Sequence, residues 1–279
     1  MTEQEQTEKN MYMQLIEESC YIDPKLKLDY PPVALSFGEK LIKSDKGDLL
    51  LPIPIGTYGN ISVITAPPKT KKTFFISLLA SVFLSGSNIF GGELKGHKGS
   101  GDLIWIDTEQ SDWHSSHCFR RIYEMDSEID SKKYHTFGLR AIDYKSRLEF
   151  IEYYLKEKIE NPSLLIIDGV ADLLADSNSI GESNVLTMKL MEISSKYNVH
   201  IMVVIHQSYG SNKLGTGHLG SFLEKRAETV ISLEGNTVNK NWVTVRCGRS
   251  RGYSFDTFSF EVNDKGLPVI VGNLYDPLK

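Results

Sequence analysis

Few cysteines, no long apolar run and no strong charge of either sign mark this chain of 279 residues. Its three cysteines, Cys20, Cys118 and Cys247, are odd in number and far apart. They give no disulfide framework and no structural zinc site, and they point to a reducing cytosol. His114, His117, His135 and His218 share no metal-ligand spacing with them. The longest apolar run, around Phe74 to Phe83, is broken by Ser77 and Ser81. A bilayer crossing needs about 18–20 apolar residues, so the expected partners include no membrane. The opening MTEQEQTEKN is acidic and polar, unlike a secretory signal, and a cytoplasmic location is expected. The net charge of −5 is too mild to advertise nucleic-acid binding, which would have to come from a local patch. There is no internal repeat or low-complexity segment. What remains is ordinary: 41 % hydrophobic and 24 % charged residues exclude a disordered chain and predict one large domain or two small ones.

The pattern along the chain changes once. Residues 2–20 read as a short amphipathic helix with Met11, Leu15 and Ile16 on its apolar face. Residues 21–58, rich in proline and glycine, show little periodicity and read as a lead-in arm or cap. From there short, nearly continuous apolar runs alternate with helical ones. NISVIT, DLIWID, SLLIID and HIMVVI read as buried strands, and 134–139 as a weaker one. Helices are predicted over 73–84, 113–125, 145–159 and 182–197. Strands of this kind alternating with helices mean a parallel sheet covered on both faces, an α/β fold. The tail holds TVISL, WVTVRC and TFSFEV with no helix between them, which predicts an antiparallel extension. The division that follows is 1–58 for the helix and arm and 59–279 for the core.

In such a sheet ligands lie beyond the carboxyl ends of the strands. After NISVIT comes Ala66-Pro67-Pro68-Lys69-Thr70-Lys71-Lys72-Thr73. Against the phosphate-loop pattern G-x-x-x-x-G-K-[ST], Lys72 and Thr73 match, and both glycines are replaced, by Ala66 and Lys71. The loop must turn its amides toward phosphate at a helix N-terminus, and glycine is the residue that curls without strain. Three lysines add positive charge. The plainer alternative is a strand–helix turn with solvated lysines. Asp168 ends SLLIID, where a carboxylate would hold Mg²⁺ beside that loop, or cap a turn. The position after it, often a catalytic glutamate, is Gly169. Glu109, just past DLIWID, is then the supplier of the acid, unless it caps the helix that follows. Asp107 is a further metal or water contact to consider. His206 and Gln207 end HIMVVI and could touch a γ-phosphate, or serve as polar caps. The following stretch SYGSNKLGTGHLGS is long and glycine-rich, as functional loops are. Arg249 and Arg251, in the run Arg246-Cys247-Gly248-Arg249-Ser250-Arg251, are candidates for an arginine supplied across a subunit interface, or form a solvated strand end.

Taken in order, NISVITAPPKTKKTF, LIWIDTEQS, LLIIDGVADLL, VVIHQ, GTGHLGSFLEKRAETVISL and RCGRSRG resemble the RecA-like P-loop ATPases. Within them the chain looks most like the RepA-like hexameric replicative helicase branch, and like small ATPases of mobile or plasmid elements of Bacteroides-type bacteria. The resemblance implies a RecA-like three-layer sandwich, a mostly parallel sheet with antiparallel C-terminal strands, and nucleotide between neighbouring subunits of a ring or filament, a hexamer favoured. It implies ATP and Mg²⁺ as cofactors, with Ala66, Pro67, Pro68, Lys69, Thr70, Lys71, Lys72 and Thr73 around the phosphates. Thr73 and Asp168 then hold Mg²⁺, Glu109 activates water, His206 senses phosphate beside Gln207, and Arg251 or Arg249 is the trans-acting finger. Residues 208–220 would meet single-stranded DNA, with Lys213 as the only cation and Tyr209 as the only aromatic, a sparse site for a single strand.

Three functions compete. The first is an ATP-driven motor on single-stranded DNA, helicase-like, in replication or mobilisation of a genetic element. The second is an ATP-gated DNA-binding or scaffold protein with slow or lost hydrolysis, because the glycines are replaced. The third is an assembly protein that no longer binds nucleotide.

Overall fold

Four apolar runs build the centre of the molecule, and the helices between them supply its two outer layers. The structure, a computed structural model, describes residues 2–43, 47–86, 93–97, 99, 101–207, 215 and 217–271. In chain order the elements are α1 (Glu3–Cys20), β1 (Val33–Ile42), β2 (Leu49–Thr57), β3 (Ile61–Ala66), α2 (Lys72–Ser85), β4 (Leu94–Gly96), β5 (Asp102–Asp107), α3 (Asp112–Met125), β6 (Tyr134–Gly138), α4 (Tyr144–Glu157), β7 (Pro162–Asp168), α5 (Ile180–Tyr197), β8 (His200–His206), α6 (Gly217–Arg226), β9 (Thr229–Gly235), β10 (Trp242–Ser250), β11 (Phe258–Val262) and β12 (Pro268–Val271). Strands β3, β5 and β7 are buried at every residue, as strands covered on both faces must be.

Nine strands form one sheet in the order β12-β11-β10-β9-β3-β8-β7-β5-β6. From β9 to β6 all neighbours are parallel; β10, β11 and β12 run antiparallel. The first tail strand therefore differs from expectation, since β9 pairs parallel to β3. The reason is α6, which falls within a stretch whose glycines suggest only a loop. It provides the crossover that a parallel connection requires. Helices α2 and α3 cover one face, where Phe75, Phe83 and Trp105 are wholly buried, and Ile151, Leu155, Leu186, Leu190, Leu219 and Leu223 from α4, α5 and α6 fill the other.

The stretch expected to be an irregular arm also differs. Strands β1 and β2 pair antiparallel, and β1 pairs with β4, making a second sheet of three strands. Pro52 and Pro54 remove two amide donors from β2, which occupies an edge of that sheet, the place where proline is tolerated. Ala34, Leu35, Phe37 and Ile55 from this hairpin are buried in the main core, and Phe37 stacks on Phe258 at 4.1 Å. The chain divides into two units, Met1–Pro31 and Pro32–Lys279. The boundary expected after residue 58 thus lies inside the larger unit.

In the smaller unit, α1 opens with a capping box: Thr2 Oγ1 accepts from Glu5 N at 3.3 Å, and Glu5 Oε2 accepts from Thr2 N at 2.7 Å. Met11, Leu15 and Ile16 are exposed. Among the described residues no helix is long and apolar enough to cross a membrane.

Candidate functional site, a phosphate cleft

The loops that follow β3 and β5 and the end of β7 converge on a cleft of about 370 Å³. One wall is residues 69–71 with the first turn of α2; the other is α3. The loop keeps the shape its replaced glycines would allow. Lys69 and Lys71 both lie in the left-handed region, at φ 64° and 58°. For a side chain with a Cβ this costs roughly 1–2 kcal/mol per residue. Ala66, in the first glycine position, ends β3 wholly buried. Thr70 Oγ1 donates to Pro67 O at 2.6 Å and pins the turn. Lys71 precedes α2 without making a side-chain cap, so no side chain of the cap residue occupies the helix N-terminus, where an anion is favoured.

Lys72, Glu109, Asp168, Thr73 and His206 meet here. Lys72 Nζ donates to His206 Nδ1 at 3.1 Å, and His206 Nε2 lies 3.4 Å from Glu109 Oε1. The lysine on Nδ1 leaves the ring proton on Nε2, facing the carboxylate. Burial draws the Lys72 ammonium below its ordinary value, while Glu109 and Asp168 pull the other way. The His206 hydrogen bond holds Glu109 below the usual carboxylate value, outweighing burial. Asp168 is pushed up to about 8, first by burial and then by Asp107 and Glu109; Lys72 and a hydrogen bond from the Thr73 hydroxyl oppose the shift.

Asp107, considered above as a metal or water contact, is bonded within its own turn and to α3. Its carboxylate accepts from Glu109 N at 3.0 Å, Gln110 N at 3.0 Å, Gln110 Nε2 at 2.9 Å and Ser115 Oγ at 2.8 Å. These bonds fix the turn that carries Glu109. Gly169 leaves no room for a side chain at the position after Asp168. Its φ is +96°, and a Cβ there would lie 2.3 Å from Thr108 Oγ1 and 2.7 Å from Glu109 Cγ. Glu109 occupies the space that a side chain at 169 would need. Thr108 locks this arrangement, its amide donating to Asp168 O at 3.1 Å and its hydroxyl reaching Gly169 O at 2.9 Å.

Other expected residues are placed elsewhere. Gln207 bridges to Gly215 and donates its amide to Ala66 O at 3.0 Å, behind the loop. Arg249 and Arg251 are not in the cleft. Arg249 is in register with Val230 near the start of β9, and β9 runs parallel to β3, so both arginines sit at the opposite end of the sheet. Arg251 Nη2 donates to Arg226 O at 2.8 Å there. Lys213 and most of the stretch expected to meet DNA lie outside the described residues. The wall formed by His114, Cys118 and Arg121 was not singled out from the sequence, although their helical spacing is its signal. Arg121 packs over Phe74 at 3.9 Å and donates to Ser77 Oγ at 2.8 Å, joining α3 to α2.

The residues fit Mg²⁺. Thr73 and Asp168 offer a hydroxyl and a buried carboxylate, hard oxygen donors in contact with one another, and the carboxylate sits among acids that a cation would neutralise. Among the described residues no group of three or more His, Cys, Asp or Glu could hold a metal ion. Mg²⁺ needs none, because phosphate oxygens and water complete its shell.

The fold is RecA-like, with a phosphate-loop cleft at the carboxyl ends of its strands. Residues 54–212 match a family described as an AAA domain, and the chain belongs to that family. Two solved structures share the fold. One is an ATPase domain, 14 % identical, with a TM-score of 0.57 over 76 % of this chain and 85 % of that one. The other, the RadB recombinase, is 18 % identical, with a TM-score of 0.54 over 77 % of this chain and 92 % of that one. No curated protein matches the chain.

Proposed function

We propose that the chain binds and hydrolyses ATP and uses the cycle to move on single-stranded DNA, as a helicase-type motor in replication or mobilisation of a genetic element. The observation that carries the ATPase reading is the convergence of Lys72, Thr73, Asp168 and Glu109 on one cleft, with His206 in contact with both Lys72 and Glu109. The amides of α2 and the Lys72 ammonium would receive the β- and γ-phosphates. Thr73 and Asp168 would hold Mg²⁺, which supplies charge neutralisation on the phosphate oxygens. Glu109, kept ionised by His206, accepts the proton of the attacking water, and the His206 imidazole faces the γ-phosphate end of Lys72. Binding requires Lys72 to exchange His206 for phosphate, so nucleotide occupancy is communicated to the carboxylate through one ring.

Arg249 and Arg251, at the far end of the sheet, can serve only another copy's cleft. Their placement favours a head-to-tail ring or filament, a hexamer among the rings, with an arginine reaching the neighbour's nucleotide. The second reading is an ATP-gated DNA-binding or scaffold protein with slow hydrolysis. Two left-handed lysines in the loop favour it, because their strain lowers the stability of the binding-competent shape.

One experiment separates these readings: steady-state ATP hydrolysis with and without single-stranded DNA, combined with sedimentation of the chain with and without nucleotide. The motor reading expects DNA-stimulated hydrolysis and nucleotide-dependent assembly. Nucleotide-dependent DNA affinity without turnover selects the second reading. Absence of any nucleotide binding removes both.

A further inference from the structure

Resting on that nucleotide reading, we propose that Lys71 is a positioning residue. It tethers the phosphate loop to the β9–β10 turn, supplying by a distant contact the loop shape that glycine would supply by itself. Lys71 stands where a phosphate loop has its second glycine, and its φ is 58°. Its ammonium does not turn into the cleft with Lys72. It donates to the main-chain carbonyl of Asn241 at 2.9 Å, 170 residues away in sequence.

The acceptor is held rigidly. Asn236 Oδ1 accepts from the amides of Val238 and Asn239, both at 2.9 Å, and Asn239 Oδ1 accepts from the amide of Asn241 at 3.0 Å. Main-chain bonds from Trp242 N to Asn239 O and from Asn236 N to Trp242 O close the turn. The Asn241 carbonyl is therefore held by its turn, and the bond to it restrains the far end of the Lys71 side chain. A single neutral-acceptor bond of this kind contributes about 0.5–1.5 kcal/mol, comparable with the left-handed strain it opposes. Lys69 has the same strain and lines the cleft. Among the described residues its ammonium has no partner, so it is the additional cation left for phosphate. The consequence is that nucleotide affinity depends on the β9–β10 turn, on the far side of the loop from Glu109.

The test is a double-mutant cycle on the full chain, read as the dissociation constant of Mg²⁺-ADP by titration calorimetry, with thermal melts in parallel. Lys71→Ala keeps the strain and removes the tether, and should weaken binding about five- to tenfold. Lys71→Gly removes tether and strain together and should stay within about threefold of the unmodified chain. Lys71→Arg, which can still donate, should bind better than Lys71→Ala. Asn239→Ala, remote from the cleft, loosens the acceptor and should weaken binding about threefold, but not when Lys71 is already glycine. Equal losses in Lys71→Gly and Lys71→Ala, with a shallower salt dependence in both, would make Lys71 a phosphate ligand and overturn the tether. An Asn239→Ala effect of the same size in both backgrounds would overturn it too. If the unmodified chain binds no nucleotide, the site reading falls and the tether with it; if it binds and the cycle shows no coupling, the tether alone falls.

Discussion

Both ends of the parallel sheet are crowded with polar side chains, built on opposite terms. At the amino end the cluster closes on itself. His200 is wholly buried, its Nδ1 on Thr57 O at 2.8 Å and its Nε2 on Ser62 Oγ at 2.8 Å. Glu228 accepts from Thr57 N at 2.8 Å and Thr57 Oγ1 at 2.9 Å, and Asn60 Nδ2 donates to Thr57 Oγ1 at 2.9 Å. Glu228 precedes β9, His200 and Ser62 lie on β8 and β3, and Thr57 ends the hairpin. The cluster therefore joins the hairpin to the sheet. At the carboxyl end the charges pair only with one another, along the wall of an open cleft. Asp168 is a buried acid among acids, and the opening turn of α2 lacks a side-chain cap. A network closed within the buried sheet stabilises; acids crowded together at the edge of a cleft are charges that a ligand can engage.

The sharpest way to break this contrast is to remove the acid. Glu109→Gln should lower the rate of ATP hydrolysis about 10²–10⁴-fold while nucleotide affinity stays within a few-fold. Normal turnover by that variant would move the catalytic role away from Glu109. Lys72→Ala should abolish hydrolysis and weaken nucleotide binding as well. Gly169→Ala should cost turnover without removing any charge, by roughly 10–100-fold, because its Cβ would strike Thr108 and Glu109. Single-turnover kinetics at saturating ATP checks it, and unchanged rates would show that Glu109 need not occupy that space.

The amino end should answer in stability and not in chemistry. A Cβ on Gly56 would lie 2.2 Å from the His200 ring, which is pinned on both nitrogens and cannot move aside cheaply. Gly56→Ala should destabilise the chain by about 2–4 kcal/mol, combining overpacking with a lost buried hydrogen bond. That corresponds to a fall in Tm of roughly 5–15 °C. Nucleotide affinity measured below the transition should be unchanged. A Gly56→Ala chain of ordinary Tm would mean that the two ends do not differ in this way.

What could be read without coordinates follows the same contrast. The strands and the residues at their carboxyl ends were legible because both signals are local: a continuous apolar run, then Lys72, Glu109, Asp168 or His206. The hairpin was not legible, because Pro52 and Pro54 read as breakers unless the strand is known to lie at an edge. Helix α6 was hidden by Gly217 and Gly220, whose close approach to neighbouring backbone is a tertiary fact. Nothing local announces that Lys71 reaches Asn241, or that Gly169 is empty to make room for Glu109. The His200–Glu228 cluster unites residues from four separate segments, and no spacing rule joins them.

The smallest effect expected is a difference in pH response between the two ends of the nucleotide-free chain. Asp168 has its folded pKa raised from 3.8 to about 8, so across that interval the folded state holds a proton that the unfolded chain releases. The stability this contributes is present below about 4 and is lost as pH rises toward 8. His200 behaves in the opposite sense. Burial pushes its pKa below 6.5, against Glu228 and the Thr57 carbonyl, so the unfolded chain takes up a proton that the folded one refuses. Stability from that end is present above 6.5 and is lost as pH falls below it. Asp168→Asn should therefore raise the Tm of the nucleotide-free chain by a few degrees near pH 8.5 and leave it unchanged near pH 4. Thermal melts over that range decide it. A gain of equal size at both pH values would mean that Asp168 is not held protonated by burial and its acidic neighbours, and the two ends would not differ in the sign of their pH response.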